Sequence, residues 1–247
     1  MLSTNKLFNI LFNAINNIIK IVTKNGIYIH FIYFLLYHMT QNVYLSAAIT
    51  FKLYSINYFY WFGHIYTYLP NPRNNWIKQF IRFTDTGHIA SFIVLFYPRL
   101  LPIAHNIHFI IMSGYWIGKF GFKLQDADKI VCNKSNPDTS DIIDTHTDIC
   151  TYMHHTIPYM LVLAQMHDSE RSCLVEYNNA NLLYTYYWLY TWAICIYIPW
   201  RLITNDAVYS ILDQTQTPSL LMILFIGFIH ILVYLSNIIG YGICVIL

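Results

Sequence analysis

The stretch "RFTDTGH" begins at Arg82 and brings two threonines, an aspartate and a histidine into little more than one helical turn. On a helix that enters an apolar segment here, Thr84, Asp85, Thr86 and His88 could share one polar pocket. Histidine is the residue type whose pKa suits proton transfer near neutral pH. The alternative is structural: Thr84 or Asp85 caps the start of the helix, and Arg82 meets lipid phosphates.

A second group is the histidine pair His105 and His108, at i, i+3 spacing in "HNIH". That spacing places both rings on one face of a helix. A metal site would need a third and a fourth ligand. The alternative is that the two rings form hydrogen bonds between helices near a helical hairpin.

The stretch "YMHHTIPYM" carries two sequential histidines inside an apolar run. Burying a histidine is costly unless the ring is paired, liganded or used in a reaction. Because His154 and His155 point about 100° apart on a helix, we expect them to face different neighbours. His155 and Thr156 lie a turn or two inside a span that begins near Asp148, where Pro158 frees a backbone carbonyl that either side chain can satisfy. The alternative for His155 is a buried structural histidine.

The composition indicates that membrane helices position these residues. The 247 residues are 56% hydrophobic and only 11% charged, whereas a soluble domain carries about 25% charged residues. This predicts a multi-pass integral protein of the plasma membrane or an endomembrane, surrounded by membrane lipids. The net charge of +2, without a basic block, argues against nucleic acid as a partner. None of the five cysteines forms a CxxC pair, so neither a zinc site nor a disulfide framework is predicted.

The hydrophobic pattern predicts an all-α fold, a polytopic transmembrane helix bundle with six or seven spans. In residues 5–23 the apolar side chains recur at helical spacing, with most Asn and Lys on the other face. Residues 1–25 are therefore interpreted as an interfacial amphipathic helix, with a helix packed on the bundle as the alternative, and residues 26–247 as one transmembrane domain. The predicted spans cover residues 27–47, 48–69, 84–101, 102–120, 149–166, 181–200 and 218–244.

Three further stretches, in this order along the chain, resemble a known family. "YWIGKFGFKLQDADK" (115–129) ends a span, "TYMHHTIPYMLVLAQM" (151–166) opens the next, and "YYWLYTWAICIYIPWRLITNDAVYSILDQ" (186–214) is a Trp-rich span that leads to "VYS". With the Thr/Asp cluster before them, the pattern over roughly residues 76–240 is similar to the androgen-induced / androgen-dependent family of multi-span membrane threonine hydrolases. Members of that family act on fatty acid esters of hydroxy fatty acids. This chain departs from the family's pattern by lacking its Tyr-Asp-Arg-Glu run.

The resemblance implies an integral membrane hydrolase of lipid esters, with a threonine nucleophile, a histidine base, and neither a cofactor nor a metal. Carried over by motif, the nucleophile is Thr84 or Thr86 and the base is His155, although ungapped matching places Asp85 at the nucleophile's position. The chemistry is sound because a threonine hydroxyl is a weak nucleophile until a neighbouring base takes its proton. Asp85 or Asp148 would orient the imidazole. The residues expected to line or orient the site are Asp85, His88, Asp148 and Thr156.

Two alternative functions stay open from the sequence. One is a redox protein that holds haem between histidines on different spans, such as His88 with His155, or His105 with His154. The other is a non-enzymatic multi-span protein whose polar residues serve interhelical hydrogen bonding alone. A di-iron enzyme is disfavoured, because the chain offers one HxxH and one HH where that chemistry wants several clusters.

Overall fold

The computed structural model of the chain describes residues 27–62, 80–121, 152, 154–168, 179–205, 207–215 and 217–246. Every regular element in these ranges is helical, which confirms the predicted all-α fold. The predicted N-terminal amphipathic helix (residues 1–25) and Asp148 lie outside the described residues. The α-helices are α1 Ile27–Thr40, α2 Val43–Phe62, α3 Phe83–Phe96, α4 Leu101–Gly121, α5 Ile157–Asp168, α6 Asn179–Trp192, α7 Ile198–Thr204 and α8 Ser219–Ile246.

The first two helices meet at a break earlier than predicted. The predicted boundary lay between residues 47 and 48, but α1 ends at Thr40, and Gln41 takes a left-handed conformation with φ 55°. The Asn42 side-chain oxygen then accepts the backbone N–H of Leu45 at 3.0 Å. Asparagine is a favoured N-cap residue, so α2 begins directly after it.

The hairpin between α3 and α4 breaks where it was predicted, at "YPRLLP". Tyr97, just before a proline, leaves the helical region with φ −131° and ψ 75°. Pro98 opens a 3₁₀ turn, Pro98–Leu100, and α4 follows at once. Proline suits the first position of a helical turn, because its missing N–H would have no partner there.

The helix that begins as α6 is longer than the predicted span 181–200. It passes through a π-helical turn, Ala193–Tyr197, into α7 and ends at Asn205 in the left-handed conformation. Pro199 explains the π turn, because it donates no N–H to the carbonyl four residues earlier and its ring crowds that carbonyl. The other predicted spans, 149–166 and 218–244, overlap α5 and α8, but α5 begins only at Ile157 and is 12 residues long.

Helix α4 lies at the centre and packs against α3, α5, α6 and α8. Its apolar residues Ile107 and Ile110 are buried, and so is Asn106 between them and the hairpin. The Asn106 amide donates to the Thr185 hydroxyl of α6 at 3.0 Å and to the Asn237 oxygen of α8 at 3.2 Å. One polar side chain therefore joins three helices inside an apolar core.

Two helical stretches in the described ranges are long and apolar enough to cross a membrane, Pro98–Gly121 and Ser219–Ile246. The first is mostly buried by its neighbours, whereas the second is mostly exposed, with outward residues such as Leu220, Ile223 and Tyr241. Helix α8 contains no Asp, Glu, Lys or Arg. Near its end Cys244 is disulfide-bonded, which the cysteine spacing did not predict.

Candidate functional site

The first turns of α3 deliver a series of polar side chains into the bundle interior. Thr84, Asp85, Thr86 and His88 are all buried, with exposed fractions of 9%, 4%, 2% and 5%. The N-cap position is Arg82, which makes no side-chain capping bond. Both residues proposed as caps therefore lie inside the helix, so capping does not explain why Thr84 and Asp85 are polar.

Asp85 forms a buried ion pair with Lys52 of α2, whose exposed fraction is 7%. The second carboxylate oxygen, Oδ2, has no hydrogen-bond partner among the described residues. Lys52 was not among the predicted site residues. Its signal in the sequence is a single lysine inside an apolar helix, which in a membrane marks a functional candidate.

The two candidate threonines differ in what their side chains contact. The Thr86 hydroxyl donates to the Phe83 carbonyl at 2.6 Å and accepts the indole N–H of Trp188 at 3.1 Å. The Thr84 backbone N–H points to the Tyr209 hydroxyl at 3.4 Å, and its side chain also hydrogen-bonds to that phenol. The Thr86 hydroxyl is thus engaged both as donor and as acceptor by fixed groups, whereas that of Thr84 is engaged by another hydroxyl.

Tyr209 lies in the segment between α7 and α8, in the "VYS" stretch of the resemblance. Its ring contacts Trp192, and the Trp192 indole donates to the Ile81 carbonyl at 2.7 Å. These contacts fix the segment against the start of α3. Burial raises the pKa of the Tyr209 hydroxyl above its usual value, while the hydrogen bond from Thr84 opposes that rise.

His88 lies at the centre of a group of three imidazoles. Its ring centroid is 5.8 Å from that of His108 and 6.2 Å from that of His154. Neither ring nitrogen of His88 has a hydrogen-bond partner in the described part of the chain. A buried imidazole without partners is costly and calls for an explanation in function or in bound water.

The two sequential histidines face different neighbours, as predicted. His154 is buried and contacts His88, whereas the half-buried His155 ring stacks on Tyr115 with centroids 3.8 Å apart. The next residue, Thr156, accepts the indole N–H of Trp116 at 2.9 Å. As the expected base, His155 should face the threonines of α3, but the ring that contacts α3 is that of His154.

The "HNIH" pair forms hydrogen bonds between helices, which confirms that interpretation. His108 Nε2 lies 2.8 Å from the Ser91 hydroxyl of α3, and the same ring hydrogen-bonds to the Gly87 backbone. His105 Nε2 lies 3.3 Å from the Tyr159 hydroxyl of α5. Within the described ranges, no group of three or more His, Cys, Asp or Glu is arranged to hold a metal ion.

In each histidine pair offered for haem, at least one ring is engaged by another side chain. His88 was paired with His155, yet His155 stacks on Tyr115. His105 was paired with His154, yet His105 bonds to Tyr159. The rings that were expected to share a haem iron therefore contact other side chains.

A cleft of about 500 Å³ opens between α3, α4 and α6. Its wall is almost entirely apolar, and Thr86 is one of its few polar lining residues. The cleft begins at Thr86, the residue that follows Asp85 in α3. We use "polar cluster" for Lys52, Thr84, Asp85, His88, His154 and Tyr209.

No protein-family model, curated protein or solved structure matches this chain. A function therefore has to be inferred from the side chains of the polar cluster and the cleft beside it.

Proposed function

We propose that this chain is an integral membrane hydrolase of lipid esters, of the class formed by fatty acids and hydroxy fatty acids, with a threonine nucleophile and a histidine base. The strongest support for this proposal is that three separate stretches of the chain come together in space. Three stretches that resemble the threonine hydrolases, "FTDTGH", "MHHT" and "VYS", are separated in the sequence. They meet through the contacts of His88 with His154 and of Thr84 with Tyr209.

The membrane part of the proposal is a bundle of six or seven spans. Its support is the distribution of polarity in the described residues, with the Lys52–Asp85 ion pair and several imidazoles inside and large apolar side chains outside. Leu202, Ile203 and Phe120 are 80%, 83% and 71% exposed. A soluble monomer rarely exposes apolar surface on this scale, because water penalises it.

Thr84 is the nucleophile that the contacts favour. The Thr86 hydroxyl donates a hydrogen bond to the Phe83 carbonyl, and its oxygen accepts one from the Trp188 indole N–H. In the proposed reaction the Thr84 oxygen bonds to the ester carbonyl carbon as a histidine takes its proton. The hydroxy fatty acid leaves as the alcohol with that proton, and water then cleaves the acyl-threonine to release the fatty acid.

His154 is the base that the contacts favour, and His155 is the alternative. His154 is buried and touches His88, which lies one helical turn beyond Thr84. Asp85 is engaged by Lys52, so a role in orienting the imidazole has no support from its contacts. The Lys52 ammonium instead supplies a fixed positive charge beside the reacting groups, where a transition-state oxyanion would benefit from it.

The test is labelling of detergent-solubilised protein with a fluorophosphonate probe, together with hydrolysis of a fatty acid ester of a hydroxy fatty acid. The variants are Thr84→Val and Thr86→Val, which keep the side-chain shape, and His154→Gln and His155→Gln. We expect loss of both signals in Thr84→Val and His154→Gln, and retained activity in the other two. Full activity in both threonine variants, or no labelling of folded wild-type protein, would contradict the hydrolase proposal and favour a non-enzymatic role.

A further inference from the structure

The cleft between α3, α4 and α6 follows α3 from Thr86 to Val94. At a rise of 1.5 Å per residue that is about 12 Å. The end at Thr86 carries the hydrogen bond from Trp188, and the other end reaches Leu100 and Ile103 near the α3–α4 hairpin. The cleft therefore has one polar end, at Thr86 and Trp188, and one wholly apolar end.

The cleft is open on one side. Ile89, Tyr184 and Tyr187 line it and are 44%, 51% and 56% exposed, so they form its rim. Ala90 and Ala104 line it from the interior and are buried. A narrow apolar slot with small residues at its floor and an open rim faces the surface that would meet lipid tails.

We propose that this cleft binds a single acyl chain of a lipid that enters from the bilayer. The carbonyl of the lipid lies at Thr86 and Trp188, and the chain runs towards Ile103. The binding itself does not rest on the proposed function, because Thr84, the proposed nucleophile, does not line the cleft and points about 200° away from Thr86 on α3.

The polar end gives the chain its direction. The Trp188 indole N–H now donates to the Thr86 hydroxyl, and an ester carbonyl oxygen that reaches this end of the cleft can accept that donor beside the hydroxyl. Apolar area alone would not select a chain, because lipid tails are as apolar as the wall. Selection comes from packing in the slot and from one hydrogen bond in a setting without water.

The floor residues limit the chain's length. A leucine at Ala90 would fill the slot about one turn from Thr86, and an overfilled apolar site has to shift or exclude its ligand. Ala164 of α5 is a matched control, because it is half-buried on a helix and does not line the cleft.

The experiment measures tryptophan quenching by a palmitate methyl ester brominated at mid-chain, with the full chain in detergent. We expect saturable quenching in wild type and in Ala164→Leu. In Ala90→Leu we expect about tenfold weaker binding, which is ~1.4 kcal/mol. In Trp188→Phe, a conservative change that removes the donor and one of the two tryptophans that line the cleft, we expect the saturable quenching of the remaining Trp192 to weaken.

The inference would be overturned if quenching rose in proportion to the ester in the micelle, with the same dependence on ester in wild type, Ala90→Leu and Trp188→Phe. The two proposals fail separately. Saturable quenching with no ester hydrolysis leaves a lipid-binding site in a protein that is not a hydrolase. Hydrolysis with unsaturable quenching leaves the hydrolase and removes this cleft as the chain site.

Discussion

The buried ion pair of Lys52 and Asp85 gives the sharpest test of the architecture. Both side chains are nearly inaccessible, and they join α2 to α3. We consider Lys52→Met and Asp85→Asn, which keep approximate shape and remove one charge each, and the double variant that removes both. The single variants leave one uncompensated charge in the interior, whereas the double variant leaves none.

The expected magnitudes follow from that difference. Removing one partner of a buried ion pair costs about 3–5 kcal/mol, which for a chain of this size lowers the Tm by roughly 6–20 °C. The double variant leaves one amide that lacks a partner, at about 1–3 kcal/mol. The double variant should therefore be more stable than either single variant.

The assay is thermal unfolding of the detergent-solubilised protein, read by the fraction that stays monodisperse after heating. The control is Arg201→Gln, because Arg201 and Asp213 form a partly exposed ion pair with 3.5 Å between nitrogen and oxygen. Such a pair contributes about 1 kcal/mol at most. The buried pair would be refuted if Lys52→Met and Asp85→Asn were no less stable than Arg201→Gln. It would also be refuted if the stability losses of the two single variants added up in the double variant.

Three other predictions use the same unfolding assay. Gly87→Ala should destabilise the fold, because the added Cβ would lie 3.0 Å from the hydrogen-bonded His108 ring. In the control Gly227→Ala the added Cβ meets nothing within 4 Å, so that variant should be neutral or stabilising by up to ~1 kcal/mol. Equal effects of the two variants would contradict the packing of α3 on α4. Asn106→Ala should cost about 1–3 kcal/mol by leaving buried partners unsatisfied, and an unchanged Tm would contradict the network. Burial raises the pKa of the Tyr209 hydroxyl, so above pH ~10 the folded state keeps this proton while the unfolded state loses it, and stability falls with rising pH. Tyr209→Phe should make that fall less steep. An unchanged dependence of stability on pH in this variant would contradict the burial of the phenol.

Local chemistry predicted much of the fold. The α3–α4 hairpin was predictable because two prolines bracket "PRLLP", and proline acts on the backbone of its own neighbourhood. The α1–α2 break was misplaced because the apolar run continues through it. The feature that starts α2 is a single residue, Asn42, whose side chain caps the helix. The length of α6 and α7 was underestimated because a proline inside a helix can be accommodated by a π turn.

The candidate site was predictable only in part, since its contacts join distant parts of the chain. Polar residues in apolar spans marked Thr84, Asp85, His88 and the histidine pair. Which of His154 and His155 faces α3 depends on the rotation of α5 against its neighbours, and sequence spacing fixes only the angle between them. The partner of Asp85 depends likewise on how α2 packs against α3.

The pattern of unsatisfied groups separates structural polar residues from candidates for chemistry. If every buried polar side chain served only to join helices, each would have its partners, as Asn106, His105 and His108 do. Five buried polar side-chain atoms in the described residues lack a partner, and three of them belong to Asp85 and His88. Leaving such atoms unpaired costs stability, so each of them calls for an explanation such as a catalytic role or a bound water. Asp85 is next to Thr84 and His88 lies one helical turn beyond it, so these atoms favour a reaction site there over a helix contact.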